Sequence, residues 1–143
     1  PEEGYRTVKE PANLIKYSTI KDDLDTLCAR ETIENQPQWS KSIFLFHSPP
    51  YQSNLDRAAL DGMMIDFVPL NVNVGSVAIQ RLIKECQPLV SLHGHIHESA
   101  RLTGHWKEKT GECYSFTAAH DGPELALVHF NPTALEDCWR ELL

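Results

Sequence analysis

Residues 43–46 of this chain are continuously apolar, and residues 89–92 form a second apolar stretch broken only by Ser91. Such a run is covered on both faces, which suits a central strand of a parallel or mixed sheet. Between the two runs, Ile79, Leu82, Ile83 and Cys86 recur at helical spacing. They predict a helix over 77–87, opened by Gly75-Ser76 with Ser76 as its cap and stopped by Pro88. Strand, helix and strand make a β-α-β unit. Its strands run parallel and, as neighbours about 4.8 Å apart, end on one edge of the sheet.

The remaining pattern is mixed. Residues 1–17 read as irregular, punctuated by Pro1, Gly4 and Pro11. Thr19 is expected to cap a helix with Asp22 and Asp23 in its first turn and Ile20, Leu24, Leu27 and Cys28 on one face, fading before Gln36-Pro37. The segment 52–74 is long and weakly periodic, and a loop of that length in a small domain is more often functional than idle. Residues 101–107 and 112–118 predict two strands turned at Lys109-Thr110-Gly111. Asp121-Gly122-Pro123 turns the chain again, and 124–130 predicts a third strand. Thr133-Ala134-Leu135-Glu136 has the form of a capping box, and Leu135, Cys138, Trp139 and Leu142 then predict a short terminal helix. There is no internal repeat and no low-complexity tract.

Composition narrows the class. The chain has 143 residues, enough for one domain with a core, and is 41% hydrophobic and 23% charged, as ordinary globular proteins are. No apolar run nears the ~20 residues of a membrane span. The acidic opening Pro1-Glu2-Glu3-Gly4 is not a signal peptide, and its lack of methionine reads as an upstream segment removed. A net charge of −7 argues against non-specific nucleic-acid binding. It leaves a phosphate substrate open, because a bound cation reverses the local sign. Cys28, Cys86, Cys113 and Cys138 form no Cys-x-x-Cys pair. They read as reduced thiols of a cytoplasmic protein rather than a thiolate zinc site.

The chemistry concentrates in Leu92-His93-Gly94-His95-Ile96-His97-Glu98, with three histidines at alternate positions. A further histidine, His47, closes the first apolar run before Ser48-Pro49-Pro50-Tyr51. Alone, His47 would be an ordinary strand-end residue. The β-α-β connection, however, brings His47, His95 and His97 to one C-terminal sheet edge, where open α/β sheets bind ligands. Neutral imidazole is the commonest protein metal ligand, so these three are the expected metal ligands. His93 precedes the glycine and reads as a strand residue or a support for the ligands, while Gly94 would let the backbone pass close to an ion. His105, His120 and His129 read as surface or strand histidines. Tyr51, Asn73 and Arg101 are placed near the edge of the site, in reach of a substrate.

His47-Ser48-Pro49-Pro50-Tyr51, Gly75-Ser76 before a helix, and Gly94-His95-Ile96-His97-Glu98-Ser99 resemble the last two metal motifs of the calcineurin-like metallophosphoesterases. Residues 43–99 carry the resemblance, and the strands expected through about Phe130 are compatible with it. It implies an α/β (α+β) fold, a two-sheet sandwich flanked by helices, and two divalent metal ions (Mn, Fe or Zn) that clamp a phosphate mono- or diester and activate water. Carried over, His47 and His95 would bind one ion and His97 the other. The family opens its site with Asp-x-His, Gly-Asp and Gly-Asn-His, and this sequence contains none of them. The chain therefore resembles the C-terminal half of such a domain: residues 1–143 form a single partial domain, and the catalytic residues are expected in an absent N-terminal half. Alone, it is expected to bind metal weakly and to show little phosphoesterase activity. Its uncovered apolar sheet face is expected to seek that missing half or a second copy. Two alternatives stand beside this reading: a non-catalytic remnant serving as a scaffold, and a mononuclear zinc enzyme using His95, His97 and His120.

Overall fold

The computed structural model describes residues 5–9, 15–31 and 38–143, with the backbone alone at 5–9, 15–18, 30 and 31. Strands β1 (Tyr5–Lys9) and β2 (Ile15–Thr19) form an antiparallel hairpin. This corrects the irregular reading of 1–17 at residues 5–9 and 15–17, and the rest of that stretch lies outside the described residues. Both segments contain aromatic and β-branched strand formers, and each is completed by pairing with the other in the hairpin. Helix α1 (Ile20–Glu31) follows directly. Thr19 Oγ1 accepts the Asp22 N–H at 3.0 Å, and Asp22 Oδ2 accepts the Thr19 N–H at 3.1 Å, so the expected cap is present in reciprocal form. The bond from Thr19 holds the Asp22 carboxyl below its usual range. Leu24 turns to the core, whereas Leu27 is exposed and falls outside the expected face. The expected fade before Gln36-Pro37 lies outside the described residues.

The central sheet has four strands. Strand β3 (Ile43–Leu45) is followed by a small hairpin, β4 (Met64–Ile65) and β5 (Val68–Pro69), inside the segment read as a loop. Helix α2 (Val77–Cys86) leads into β6 (Val90–His93), and a short helix α3 (Ser99–Thr103) into β7 (Lys107–Thr110) and β8 (Cys113–Thr117). The sheet order is β3-β6-β8-β7, with β3, β6 and β8 parallel and β7 antiparallel. The β-α-β unit is therefore present, with Ile43 opposite Val90 and Leu45 opposite Leu92. Ser76 caps α2 by accepting the Ile79 N–H. Strands β9 (Ala126–Asn131) and β10 (Ala134–Leu142) form a second, antiparallel sheet.

Three expectations are corrected. The first run does not become a central strand: among the described strands β3 pairs only with β6, and Leu45 is 81% exposed. Residues 99–103 are helical, so the strand expected over 101–107 begins only at Lys107 and turns at Gly111, where φ is 62°. The terminal helix is strand β10 instead. Asn131 Oδ1 accepts from the N–H and the hydroxyl of Thr133, which tightens a reversal that lays 134–142 back along β9. That pairing outweighs a helical period of only two turns.

Each face of the sheet has its own layer. On one, Ile79 and Ile83 of α2 bury against Cys113, with Leu24 and Phe46 at the margin. On the other, Val90 and Phe116 bury against Leu135, with Val128 and Phe130 alongside. The Phe116 and Phe130 rings stack at 5.3 Å. The second sheet leaves Ile43 and Leu45 of β3 bare.

The β4–β5 hairpin turns through Asp66 and Phe67, both left-handed (φ 50° and 64°). Glycine usually fills such positions, and Phe67 is 96% exposed, so no packing offsets its conformation. Phe67→Gly is expected to stabilise the protein by roughly 0.5–1 kcal/mol, seen as a higher urea midpoint at unchanged slope. A lower midpoint would show that the turn holds no such strain.

Candidate functional site

His47 follows β3 by two residues and His95 follows β6 by two. The parallel pairing continues beyond the strands: the Phe46 N–H donates to Leu92 O at 2.9 Å and the Gly94 N–H to His47 O at 3.0 Å. These bonds bring together two side chains 48 positions apart. His95 Nδ1 and His47 Nε2 lie 2.9 Å from each other, one nitrogen donating to the other, with ring centroids 4.6 Å apart. Both rings are exposed. His95 takes a left-handed backbone (φ 71°), uncommon for a residue with a side chain. Ile96 between His95 and His97 is buried, which pins the turn and leaves the histidines on either side in solvent.

Two imidazole nitrogens on one tetrahedral ion, with bonds of about 2.1 Å, stand about 3.4 Å apart. The His47–His95 pair is within about half an ångström of that spacing, so as a donor pair it fits a metal site in part. His97 does not complete it: among the described residues no group of three or more His, Cys, Asp or Glu side chains could hold a metal ion. His120, a ligand in the three-histidine alternative, instead bonds Glu124 Oε2 at 3.0 Å. His129 bonds Glu141 across the second sheet and stacks on Trp139.

The other sequence-predicted residues mostly build the frame. His93 is 6% exposed; its Nδ1 meets Ser48 O at 3.0 Å and its Nε2 meets Ser91 Oγ at 2.9 Å. Ser91 in turn bonds Ser115 at 2.8 Å. His93 thus ties the carbonyl after His47 to the buried face of β6. Tyr51 is held at its hydroxyl by Asn71 Nδ2 (2.7 Å) and at its carbonyl by Gln80 Nε2 (2.6 Å). Asn73 Nδ2 donates to Asp56. Arg101 Nε donates to Asp121 Oδ2 at 2.7 Å, which holds that carboxyl below its usual range. Gly94 meets no crowding, since a Cβ there would lie 3.7 Å from His47 O, an ordinary contact. The glycine that close approach demands is Gly75: a Cβ there would come within 2.7 Å of the carbonyl oxygens of Pro49 and Pro50. Ser76 N–H to Pro49 O and Tyr51 N–H to Ser76 O lace the same two segments together.

The sequence reading missed two carboxylates. Asp56 is fully buried and accepts from the N–H groups of Gln52 (2.9 Å), Ser53 (3.2 Å) and Gly75 (3.1 Å) and from Asn73 Nδ2 (2.7 Å). It is the organising centre of the 52–75 segment. Glu98 Oε1 accepts the Ala59 N–H at 3.1 Å, tying that segment to the residue after His97. The one sequence signal was an aspartate in a turn-rich stretch, common enough to mean little until its donors are known.

No family model matches this chain, and no curated protein or solved structure matches it.

Two measurements check this framework. Asp56→Ala would leave four donors without their acceptor, and a loss of roughly 3–5 kcal/mol is expected by chemical denaturation; a loss under about 1 kcal/mol would deny Asp56 its organising role. Burial pushes His93 down from 6.5 to about 4, with the bond to the Ser48 carbonyl opposing. Between those values the unfolded chain binds a proton that the native chain refuses. Stability from this group is therefore complete above about pH 6.5 and falls as pH drops toward 4, by roughly 3 kcal/mol in all. Urea titrations from pH 4 to 7 should show that slope, and His93→Gln should flatten it. An equal slope in the variant would refute the assignment.

Proposed function

We propose that this chain is the histidine-bearing portion of a cytoplasmic, calcineurin-like metallophosphoesterase. The observation that carries the reading is the meeting of His47 and His95 at the shared C-terminal rim of two parallel neighbours. A histidine at each of two strand ends is what the resemblance requires. In this reading His47 and His95 contribute to one divalent ion and His97 to a second, with manganese, iron or zinc suited to the donors. When bound, such ions offset phosphoryl charge and acidify water.

The chain's own residues hold the rim in shape. His93 and Gly75 both fix the segment after His47, and Asp56 braces the segment that Glu98 joins to the histidine run. Arg101, exposed and paired with Asp121, is a charge a phosphate ester could recruit.

The bare face of β3 supports the partial-domain reading. The second sheet covers β6 and β8 but not Ile43 and Leu45. A groove of about 400 Å³ opens there between Leu45, His47, Leu92, Phe116 and Val128. In a complete two-sheet sandwich further strands, from an upstream half or a second copy, would cover that face. No described helix is long and apolar enough to cross a membrane.

The test compares this chain with an N-terminally extended one, using bis(p-nitrophenyl) phosphate and Mn²⁺. The extended chain is expected to turn over at least ~100-fold faster, and to lose that activity in His47→Ala and His95→Ala. Robust turnover by the 143-residue chain would refute the partial-site reading. An inactive extended chain would refute the phosphoesterase reading.

A further inference from the structure

The β4–β5 hairpin carries its apolar side chains outward. Met63, Met64, Ile65, Phe67 and Val68 are each more than half exposed. At roughly 150–200 Å² per large side chain, the five present on the order of 600 Å² to solvent, the upper end of what a soluble chain ordinarily leaves in one patch. The hairpin is held out by its base. The Leu70 N–H donates to Met63 O at 3.0 Å and the Ala58 N–H to Val72 O at 2.8 Å, and Asp56 accepts from Asn73 and Gly75 below them. At the tip, Phe67 occupies the left-handed region that glycine would fill more easily. A large ring is thus kept at the most exposed point of the hairpin at a cost to the fold.

The same chain carries an apolar groove. It is the groove of about 400 Å³ beside β3, walled by Leu45, Leu92, Phe116, Ala126, Val128 and Phe130, with no Lys, Arg, Asp or Glu along it. No hairpin residue lines it, so the chain does not fill its own groove.

We propose that two copies of this chain exchange hairpins, each seating Phe67 and its apolar neighbours in the groove of the other. A projection and a groove on one chain make a self-complementary pair, and a two-fold axis satisfies both at once. The area suffices. Two seated hairpins bury on the order of 1,000 Å², and the groove walls they cover bring the total within the about 1,200–2,000 Å² of a stable interface. Charge favours this occupant over a membrane. The hairpin and its flanks, residues 58–80, hold Asp61 and Asp66 and no Lys or Arg, and the chain carries −7 overall, so an anionic bilayer repels it. The inference does not depend on the phosphoesterase reading. Upstream strands would compete for the same groove, so the test uses the 143-residue chain itself.

Sedimentation velocity over ~1–100 µM is expected to show a reversible monomer–dimer equilibrium. Phe67→Asp in the hairpin and Leu45→Asp in the groove wall should each weaken it at least ~10-fold. Phe67→Gly should weaken it equally while easing the turn, which separates lost contact from lost folding. A benzophenone side chain placed at position 67 should cross-link to peptides holding Leu45 or Val128 of the second copy. A monomer at the highest concentration would overturn the proposal. So would a dimer unaffected by all three variants, cross-links outside the groove, or open-ended polymers in place of a dimer. A monomer that instead sediments with phosphatidylcholine vesicles would assign the hairpin to a membrane and overturn it as well.

Discussion

The parallel register of β3 on β6 is the constraint on which the rest depends. Each of its backbone bonds contributes on the order of 1 kcal/mol net, yet together they decide what stands next to what. The bonds run past the strands as far as His47 and Gly94, so the rim is held by main chain rather than by the histidines. Imidazoles placed in this way meet without having to organise their own surroundings. Such preorganisation is what a metal-ligand pair needs from a protein.

Behind the rim, the buried polar groups work as braces. Asp56 collects four donors from both ends of a segment whose strands are only the short β4 and β5. His93 does the same on a smaller scale, spending both ring nitrogens on Ser48 and Ser91. Gly75 admits the Pro49–Pro50 carbonyls at a distance no side chain would permit. These are costly arrangements, since an unpaired carboxylate or imidazole inside a protein is strongly unfavourable. The partners found by Asp56 and by both ring nitrogens of His93 offset that cost.

Two features of the molecule point the same way. Among the described residues, the donors that meet at the rim are two nitrogens, and the sheet beside them ends at a strand on which Ile43 and Leu45 are exposed. In the proposed reading both are the border of one missing piece, with ligands and covering strands arriving together.

Much of the fold was legible in the sequence where local chemistry decides. Thr19 and Ser76 marked helix starts because a cap acts within three residues. The stripe of α2 and the β-α-β unit followed from periodicity and from the rule that parallel strands need a crossover. That placed His47 and His95 at one edge before any coordinates. The misses share one cause. Residues 5–9, 15–19 and 134–142 became strands through hairpin pairing with a neighbouring segment, and 134–142 did so against a local helical period. The edge position of β3, the role of Asp56 and the engagement of His93 depended equally on distant donors and neighbours. The sequence alone determined which side chains reach the rim, since connectivity and strand direction are chain properties. Only the tertiary structure decided which of them touch, because contact is fixed by register, backbone twist at His95 and the burial of Ile96, and these arise when the layers close on one another.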